Sequence, residues 1–528
     1  MCGFTVYTGN NKKTRLAVAH EFKKLQYRGP DNSIAEDYGD NGWMGFHRLK
    51  IIDVTDNGNQ PLVHNHVHLI CNGEVYNYET LKEEYQENYE FQSDSDCEVI
   101  IPMYIKHGIK ETARRLDAEF VCVIYDSKKG KYVAARDPIG IRPMFYGYSE
   151  DGAIMFASEM KALHNCCKIV KAFPPGHYYD GEKFESYRDI AKVEKFTDDS
   201  LDDILKNLNY YLTEGVRKRL HADVPLGFLC SGGLDSSLVC AIAARMLKKP
   251  IKTFAVGIED GPIDTKYAKI VADYLGADHT EVLFPKQQIF DTLSTLIYNT
   301  ETWDITTIRA SMGMYIVCKY IKEHSNVKVL MTGEISDEIF GYKYTDFAPT
   351  PKAFQEEAEK RLREIYMYDV LRADRCISSN GIEARVPFGD LDFVKYVMSI
   401  PPEKKMNITG VGKFLIRKSF EGDYLPHDIL YREKAAFSDA VGHSVVDYLK
   451  AYAEELYSDE DLLDAKQRYK HAPPISKESL MYREIFEEHF PGRADLIKSI
   501  WMPNKEWENC NVDDPSARVL PNYGKSGE

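Results

Sequence analysis

Leu229-Cys230-Ser231-Gly232-Gly233-Leu234-Asp235-Ser236-Ser237 is the stretch that decides how the second half of this chain folds. The apolar run Val224–Leu229 leads into it and reads as a buried strand, and Ser237–Ala243 leads out as a helix. Glycines let backbone N–H groups approach a ligand closely, and a helix N-terminus favours negative charge. The stretch is therefore suited to holding phosphate. No Gly-Lys-Ser/Thr closes it, which separates it from the common nucleotide loop. Asp235 stands in the lysine's place, where it can hold a magnesium ion that in turn touches phosphate. An isolated Ser-Gly-Gly reads as an ordinary strand-to-helix turn; the full SGGLDSS is far more specific.

Downstream, strands alternate with longer helices, the pattern of a parallel, doubly wound sheet. A charged helix is expected over 201–219. Strands are expected at Lys252–Gly257, His279–Phe284 and Val327–Met331, with a helix over Thr265–Leu275. Ligands in such sheets sit at the carboxyl ends of strands. The segment Thr332-Gly333-Glu334-Ile335-Ser336-Asp337-Glu338 follows one strand and places three carboxylates within five residues. A surface acidic loop is the plain alternative. With SGGLDSS upstream, the cluster fits a magnesium–pyrophosphate site in which Asp235 and Asp337 are metal-directed. Residues 352–372 read as one charged helix with an apolar stripe, and the polar tail after about 503 reads as loosely ordered.

Upstream the pattern differs. Short strands are expected at Gly3–Tyr7, Val67–Cys71, Phe120–Tyr125, Lys131–Ala135 and Ile154–Ala157, with helices around 14–26 and 97–107. This reads as stacked antiparallel sheets with flanking helices. Cys2 follows Met1 directly; removal of Met1 would place a thiol and a free α-amine on one residue. An α-amine with a pKa of about 7.7–8.0 is a usable general base beside a thiol of about 8.5. Four polar clusters accompany it: Arg28–Asp31, His47-Arg48-Leu49, Asn72-Gly73-Glu74 and Ser95–Glu98. His64, His66 and His68 alternate; one polar strand face explains them better than a metal, since companion ligands are lacking.

The totals bound the function. A chain of 528 residues suggests two or three domains, and its apolar and charged fractions, 44% and 28%, are those of a soluble globular protein. A net charge of −15 argues against nucleic acid as a partner. No apolar run reaches the ~20 residues of a membrane span, and no signal peptide is visible. Eleven cysteines without CxxC spacing point to a reducing, cytoplasmic location. The expected organisation is 1–185, a polar linker 186–200, 201–502, and the tail 503–528.

These motifs carry a resemblance. Cys2 with the four clusters resembles the glutamine-hydrolysing domain of N-terminal-nucleophile amidotransferases, which implies an αββα sandwich. SGGLDSS resembles the pyrophosphate loop of enzymes that adenylate a substrate, which implies a PP-loop α/β domain. In family order, the motifs of both halves resemble the glutamine-hydrolysing asparagine synthetases of the bacterial type. The resemblance implies Cys2 as nucleophile and Asn72 and Gly73 as oxyanion hole. Arg48, Leu49, Lys50, Ile51, Ile52, Glu74 and Asp96 would then surround glutamine. It implies ATP on Cys230, Ser231, Gly232, Gly233, Leu234, Asp235, Ser236, Val256, Thr332, Gly333 and Lys434, with Mg2+ on Asp235 and Asp337. Glu334 would act at the reacting carboxylate, and Thr306, Thr307, Arg309 and Arg385 would hold aspartate. Ammonia released at Cys2 would attack β-aspartyl-AMP after crossing a passage that excludes water. A homodimer is compatible with the resemblance.

Several positions depart from the family pattern. Ile335 stands where a glycine is usual, and a β-branched residue there is strained if the position needs φ > 0. Cys230, Ala435, Ala118 and a single Gly341 also differ. Two rival readings remain open at this point: an amidating ligase acting on another carboxylate, and a catalytically weak regulatory relative.

Overall fold

Strands whose every residue is buried need cover on both faces, and the central strand of the first half meets that demand. In the computed structural model, which describes residues 1–259, 261, 264–433 and 443–524, the chain divides into two compact units. The first comprises Met1–Ile190, Ala222–Pro225 and Ser378–Glu383. Its strands are β1 (Gly3–Tyr7), β2 (Asn32–Asp37), β3 (Trp43–Arg48), β4 (Leu62–His64), β5 (Val67–Val75) and β6 (Ala118–Asp126). They continue as β7 (Lys131–Arg136), β8 (Phe145–Tyr148), β9 (Ile154–Ala157), β10 (Val170–Ala172), β11 (His177–Tyr179) and β12 (Phe184–Ser186). They form two six-stranded antiparallel sheets, ordered β10-β8-β9-β1-β3-β2 and β12-β11-β7-β6-β5-β4.

Between the sheets, Phe4, Val6, Met44 and Phe46 pack with Ile70, Val121, Val123 and Ala134. The alternate residues of β5 and β6, among them Leu69, Phe120 and Ile124, pack outward with Ile100, Met103 and Tyr104 of the helix Ile100–Arg115. Period-two alternation thus feeds two cores from one strand pair, which accounts for β6 being buried throughout. The helix Lys12–Phe22, capped by Asn11, covers the other sheet. The layers are helix, sheet, sheet, helix. The reading that ends a helix near residue 107 meets a real break at Gly108 (φ 73, ψ 173), after which the helix resumes to Arg115.

The second unit comprises Ala191–His221, Leu226–Ile377 and Ala384–Glu528. Its sheet is ordered β15-β14-β13-β16-β17, from β13 (Leu226–Leu229), β14 (Lys252–Ile258), β15 (Asp278–Phe284), β16 (Val329–Met331) and β17 (Glu383–Arg385). The pairs β15/β14, β14/β13 and β13/β16 run parallel. After β13 the chain builds outward to β15, then returns to the other side of β13 for β16. That reversal makes the β13/β16 boundary the switch point, where the carboxyl ends of open α/β sheets take ligands. The helix Leu201–Arg219 ends where the sequence places it, with the Asp203 N–H donating to the Ser200 hydroxyl.

Three expectations need correction. The segment 504–524 is packed against the unit: Trp507, Cys510, Ala517 and Leu520 are buried, and Trp507 stacks with Tyr344. Residues 352–372 are not one helix. Pro351–Glu364 ends in a tighter turn, Ile365–Met367, and a new helix runs from Asp369 to Ser378. His64, His66 and His68 do not share one strand face, because Asn65 (φ 53) turns the chain from β4 into β5. Asn tolerates that left-handed turn geometry, which alternation alone does not reveal.

Candidate functional site

In the first unit, β1 delivers Cys2 to β5. The Cys2 backbone N–H donates to Asn72 Oδ1 at 2.9 Å, and the Leu49 N–H lies 3.4 Å from the Cys2 sulfur. Arg28 Nε donates to the Cys2 carbonyl at 2.9 Å. The Arg28 guanidinium is itself buried, paired with Glu159 and donating to Ser378. Because Asn72 Oδ1 is engaged, its Nδ2 is the free end of the amide, and it is buried without a hydrogen-bond partner. An orphaned buried donor is costly unless a ligand atom completes it. Since the other end of the same amide accepts the Cys2 N–H, this unused donor lies close to Cys2. Gly73 has no room for a side chain: a Cβ would lie 2.3 Å from the Glu119 carbonyl on β6.

The other expected glutamine-binding residues gather here with jobs of their own. Arg48 donates through Nη1 to the Thr55 carbonyl (2.7 Å) and Asn59 Oδ1 (3.0 Å), and through Nη2 to the Ile52 and Asp53 carbonyls. It therefore shapes the loop of Leu49, Lys50, Ile51 and Ile52. Lys50 N–H donates to Asp31 Oδ2 at 2.9 Å. Asp96 accepts the Val75 N–H at 2.7 Å, and Glu74 is buried. Burial pushes the Cys2 thiol up, opposed by the nearby terminal ammonium and the Leu49 hydrogen bond. The Met1 ammonium, buried 3.9 Å from Glu383, is pushed down to about 6 by that burial.

In the second unit, the loops after β13 and β16 meet around a cavity of about 240 Å3. Gly232 (φ 71) turns the first loop, and no other residue fits: a Cβ would lie 2.4 Å from the Tyr267 backbone. Ser231 N–H donates to Ser236 Oγ at 3.1 Å, and Gly233 N–H to Ser231 Oγ at 3.2 Å. The helix Leu234–Leu247 begins at Gly233 with no side-chain cap, so its first N–H groups face the cavity unclaimed by a capping side chain. Thr332 Oγ1, across the cavity, is buried without a hydrogen-bond partner.

Ser336 Oγ donates to Asp235 Oδ1 at 2.8 Å, which joins the two loops directly. Asp235 and Asp337 converge on one cation, Lys413 Nζ, at 2.9 and 2.6 Å. Among the described residues no cluster of three His, Cys, Asp or Glu is arranged to hold a metal. Two carboxylates still suit magnesium, which keeps several waters and takes further oxygens from phosphate. Glu334 pairs with Arg372, which also binds Asp369 at 2.9 Å. Arg372 Nε is buried without a partner. Burial, and then Asp369, Asp337 and Glu334, hold the Glu338 carboxyl well above the ordinary carboxylate range.

Cys230, Ser231, Gly233, Leu234, Asp235, Ser236, Val256, Thr332, Gly333 and Glu334 all line this cavity, as do Thr306 and Arg309. Arg309 does not offer a free guanidinium, as its expected role requires. It is bidentate to Glu478 (2.8 and 2.6 Å) and bidentate again to Asp514 (3.0 and 3.1 Å). Arg385 lies outside the cavity lining, fully buried, and donates to the Arg219 and His221 carbonyls. Thr306 and Thr307 both donate to Asp304 Oδ2, at 2.6 and 2.8 Å, and so secure the start of the helix Ile305–His324. Lys434 and Ala435 lie outside the described residues. Sequence reasoning missed Lys413, Arg372 and the wall formed by Trp501 and Pro515–Ala517. No local motif marks them.

The family described as glutamine amidotransferase domain matches residues 1–184, and that described as asparagine synthase matches 207–353 and 346–513. A probable asparagine synthetase [glutamine-hydrolyzing] of Acanthamoeba polyphaga mimivirus is 40% identical over 99% of this chain and 100% of its own length. The asparagine synthetase [glutamine-hydrolyzing] of Homo sapiens is 38% identical over 99% of both. A probable one of Schizosaccharomyces pombe is 41% identical over 94% of both.

Proposed function

The chain belongs to the glutamine-hydrolysing asparagine synthetases, and from that premise we propose how its residues divide the work. It is an ATP-dependent carbon–nitrogen ligase: ATP, aspartate, glutamine and water give AMP, diphosphate, asparagine and glutamate. At the first site, with Met1 removed, the Cys2 amine serves as base and the thiolate attacks the glutamine side-chain amide. Asn72 Nδ2 and the Gly73 N–H receive the oxyanion. Ammonia leaves, and water then releases glutamate from the thioester. Arg48 and Asp96 take the glutamine carboxylate and amine.

At the second site, the N–H groups that open the helix Leu234–Leu247 take the ATP phosphates, and adenine lies against Val256. Magnesium, when bound, would be held by Asp235 and Asp337 and would offset phosphate charge. The β-carboxylate of aspartate attacks the α-phosphorus, pyrophosphate leaves, and ammonia displaces AMP from β-aspartyl-AMP. Glu334, on the cavity lining, would take the proton from the attacking ammonia. Arg372, with its unused Nε, is better placed than Arg309 or Arg385 to face a substrate carboxylate. That none of the eleven cysteines lies in a disulfide supports a reducing, cytoplasmic setting.

The observation that carries this reading is the Ser336–Asp235 hydrogen bond, which joins the loops after β13 and β16 around one cavity. Aspartate-dependent ATP–pyrophosphate exchange tests it. Asp235→Ala removes exchange while glutaminase activity persists; equal loss of both would count against assigning Asp235 to the nucleotide site.

A further inference from the structure

Lys413 belongs to no motif in the sequence, yet its ammonium is fully engaged by side chains of the second unit's cavity. Nζ lies 2.9 Å from each carboxylate oxygen of Asp235, 2.6 Å from Asp337 Oδ1 and 2.8 Å from Ser336 Oγ. The side chain is only 6% exposed. Its backbone is left-handed (φ 58, ψ 36), a conformation that a non-glycine residue keeps only where its surroundings hold it. Two carboxylates and a hydroxyl satisfy an ammonium's three donors.

Those two carboxylates are the pair assigned above to magnesium. An ammonium at these distances uses the same oxygens that a magnesium ion would approach to about 2.0–2.1 Å. Two cations so close repel strongly where water is largely excluded.

We propose that Lys413 is a resident counter-ion that keeps a free divalent cation off Asp235 and Asp337. The metal then enters with the nucleotide, whose phosphate oxygens give the displaced ammonium a new partner. This inference rests on the reading of Asp235 and Asp337 as the metal pair. It makes Lys413 a positioning residue that sets the order of binding.

The test is a titration of the full-length protein with Mn2+ alone, followed by electron paramagnetic resonance. Lys413→Met is expected to bind Mn2+ at least about tenfold more tightly than the wild type. Lys413→Arg, which keeps the charge, is expected to bind it as weakly as the wild type. Unchanged or weaker binding by Lys413→Met overturns the proposal, as does binding by Lys413→Arg as tight as that of Lys413→Met. Adding Asp235→Asn to Lys413→Met is expected to abolish the gain. A gain that survives it overturns the metal assignment itself, whereas aspartate-dependent exchange reports separately on the activity.

The wild type decides the matter if the neutral variant does not fold. Mn2+ alone is expected to leave its melting temperature unchanged, and Mn2+ with a non-hydrolysable ATP analogue to raise it. A rise with Mn2+ alone overturns the proposal.

Discussion

Arg309 and Asp514, 205 residues apart in sequence, are joined by two hydrogen bonds of 3.0 and 3.1 Å on the wall of the second unit's cavity. Asp514 is also held by Lys450 at 2.6 Å. Asp514→Ala leaves Arg309 with Glu478 alone, and the expected cost is about 1–3 kcal/mol of stability in the second unit. Thermal melting and pyrophosphate exchange should both fall, while glutaminase activity holds.

The same carboxylate gives an acid-side signature. Burial works to raise the Asp514 pKa, but the hydrogen bonds and charge of Arg309 outweigh it and hold the group well below the usual range. A folded pKa below the unfolded value of about 3.9 means stability that is in place above that pH and is lost as pH falls toward the folded pKa. Asp514→Asn should lack this part of the wild type's loss of stability below about pH 4, read from melting curves across pH.

Asn72→Ala removes the proposed oxyanion donor and the acceptor for the Cys2 N–H together. Glutaminase kcat is expected to fall by about 10²–10³-fold or more, since one such donor is worth that much in comparable sites. Cys2→Ala should abolish glutamine-dependent synthesis and leave synthesis from added ammonia; loss of both would break the two-site reading.

The buried terminal ammonium of an unprocessed chain is a second pH probe. Its folded pKa of about 6 lies below the ordinary value of 8.0. Between these values the unfolded chain binds more protons, so stability rises with pH across the window and is lost as pH falls through about 6. Protein that retains Met1 should show this rise. Processed protein, identified by mass, should not show it at this residue.

Ile335 (φ 82, ψ −24) is buried in a left-handed conformation at the start of the helix Ser336–Phe340. At such a position glycine carries no Cβ penalty, which is about 1–2 kcal/mol for other residues. Ile335→Gly is therefore expected to be more stable than Ile335→Ala by about 1 kcal/mol. Equal stability, or the reverse order, would show that the backbone there relaxes once the branched side chain is gone.

What the sequence revealed was local. Alternation placed β1 and β9 to the residue, the charged run 201–219 matched the helix Leu201–Arg219, and SGGLDSS located the loop after β13. The strain at Ile335 was legible because the residue itself violates the geometry of its place. What stayed hidden was long-range pairing. Arg309 reads as a substrate ligand until Glu478 and Asp514 are seen to occupy it, and Arg385 until the Arg219 and His221 carbonyls are. Lys413, just ahead of the helix Phe414–Ser419, and Arg372, on the helix Asp369–Ser378, look like ordinary surface charges in sequence. The tail seemed polar because its few apolar residues, Trp507, Cys510 and Leu520, are widely spaced, although each finds a buried place.

The Arg309–Asp514 clamp also orders events on the ribosome. At about 5–20 residues per second, the 205 residues that separate the partners take about 10–40 s to synthesise. The residues before 190, which carry Cys2 and both antiparallel sheets, are already made when it begins, and Ser378–Glu383 of the same unit follow within it. A nascent or prematurely terminated chain can thus carry every residue assigned above to glutamine while the wall of the second unit's cavity is unfinished.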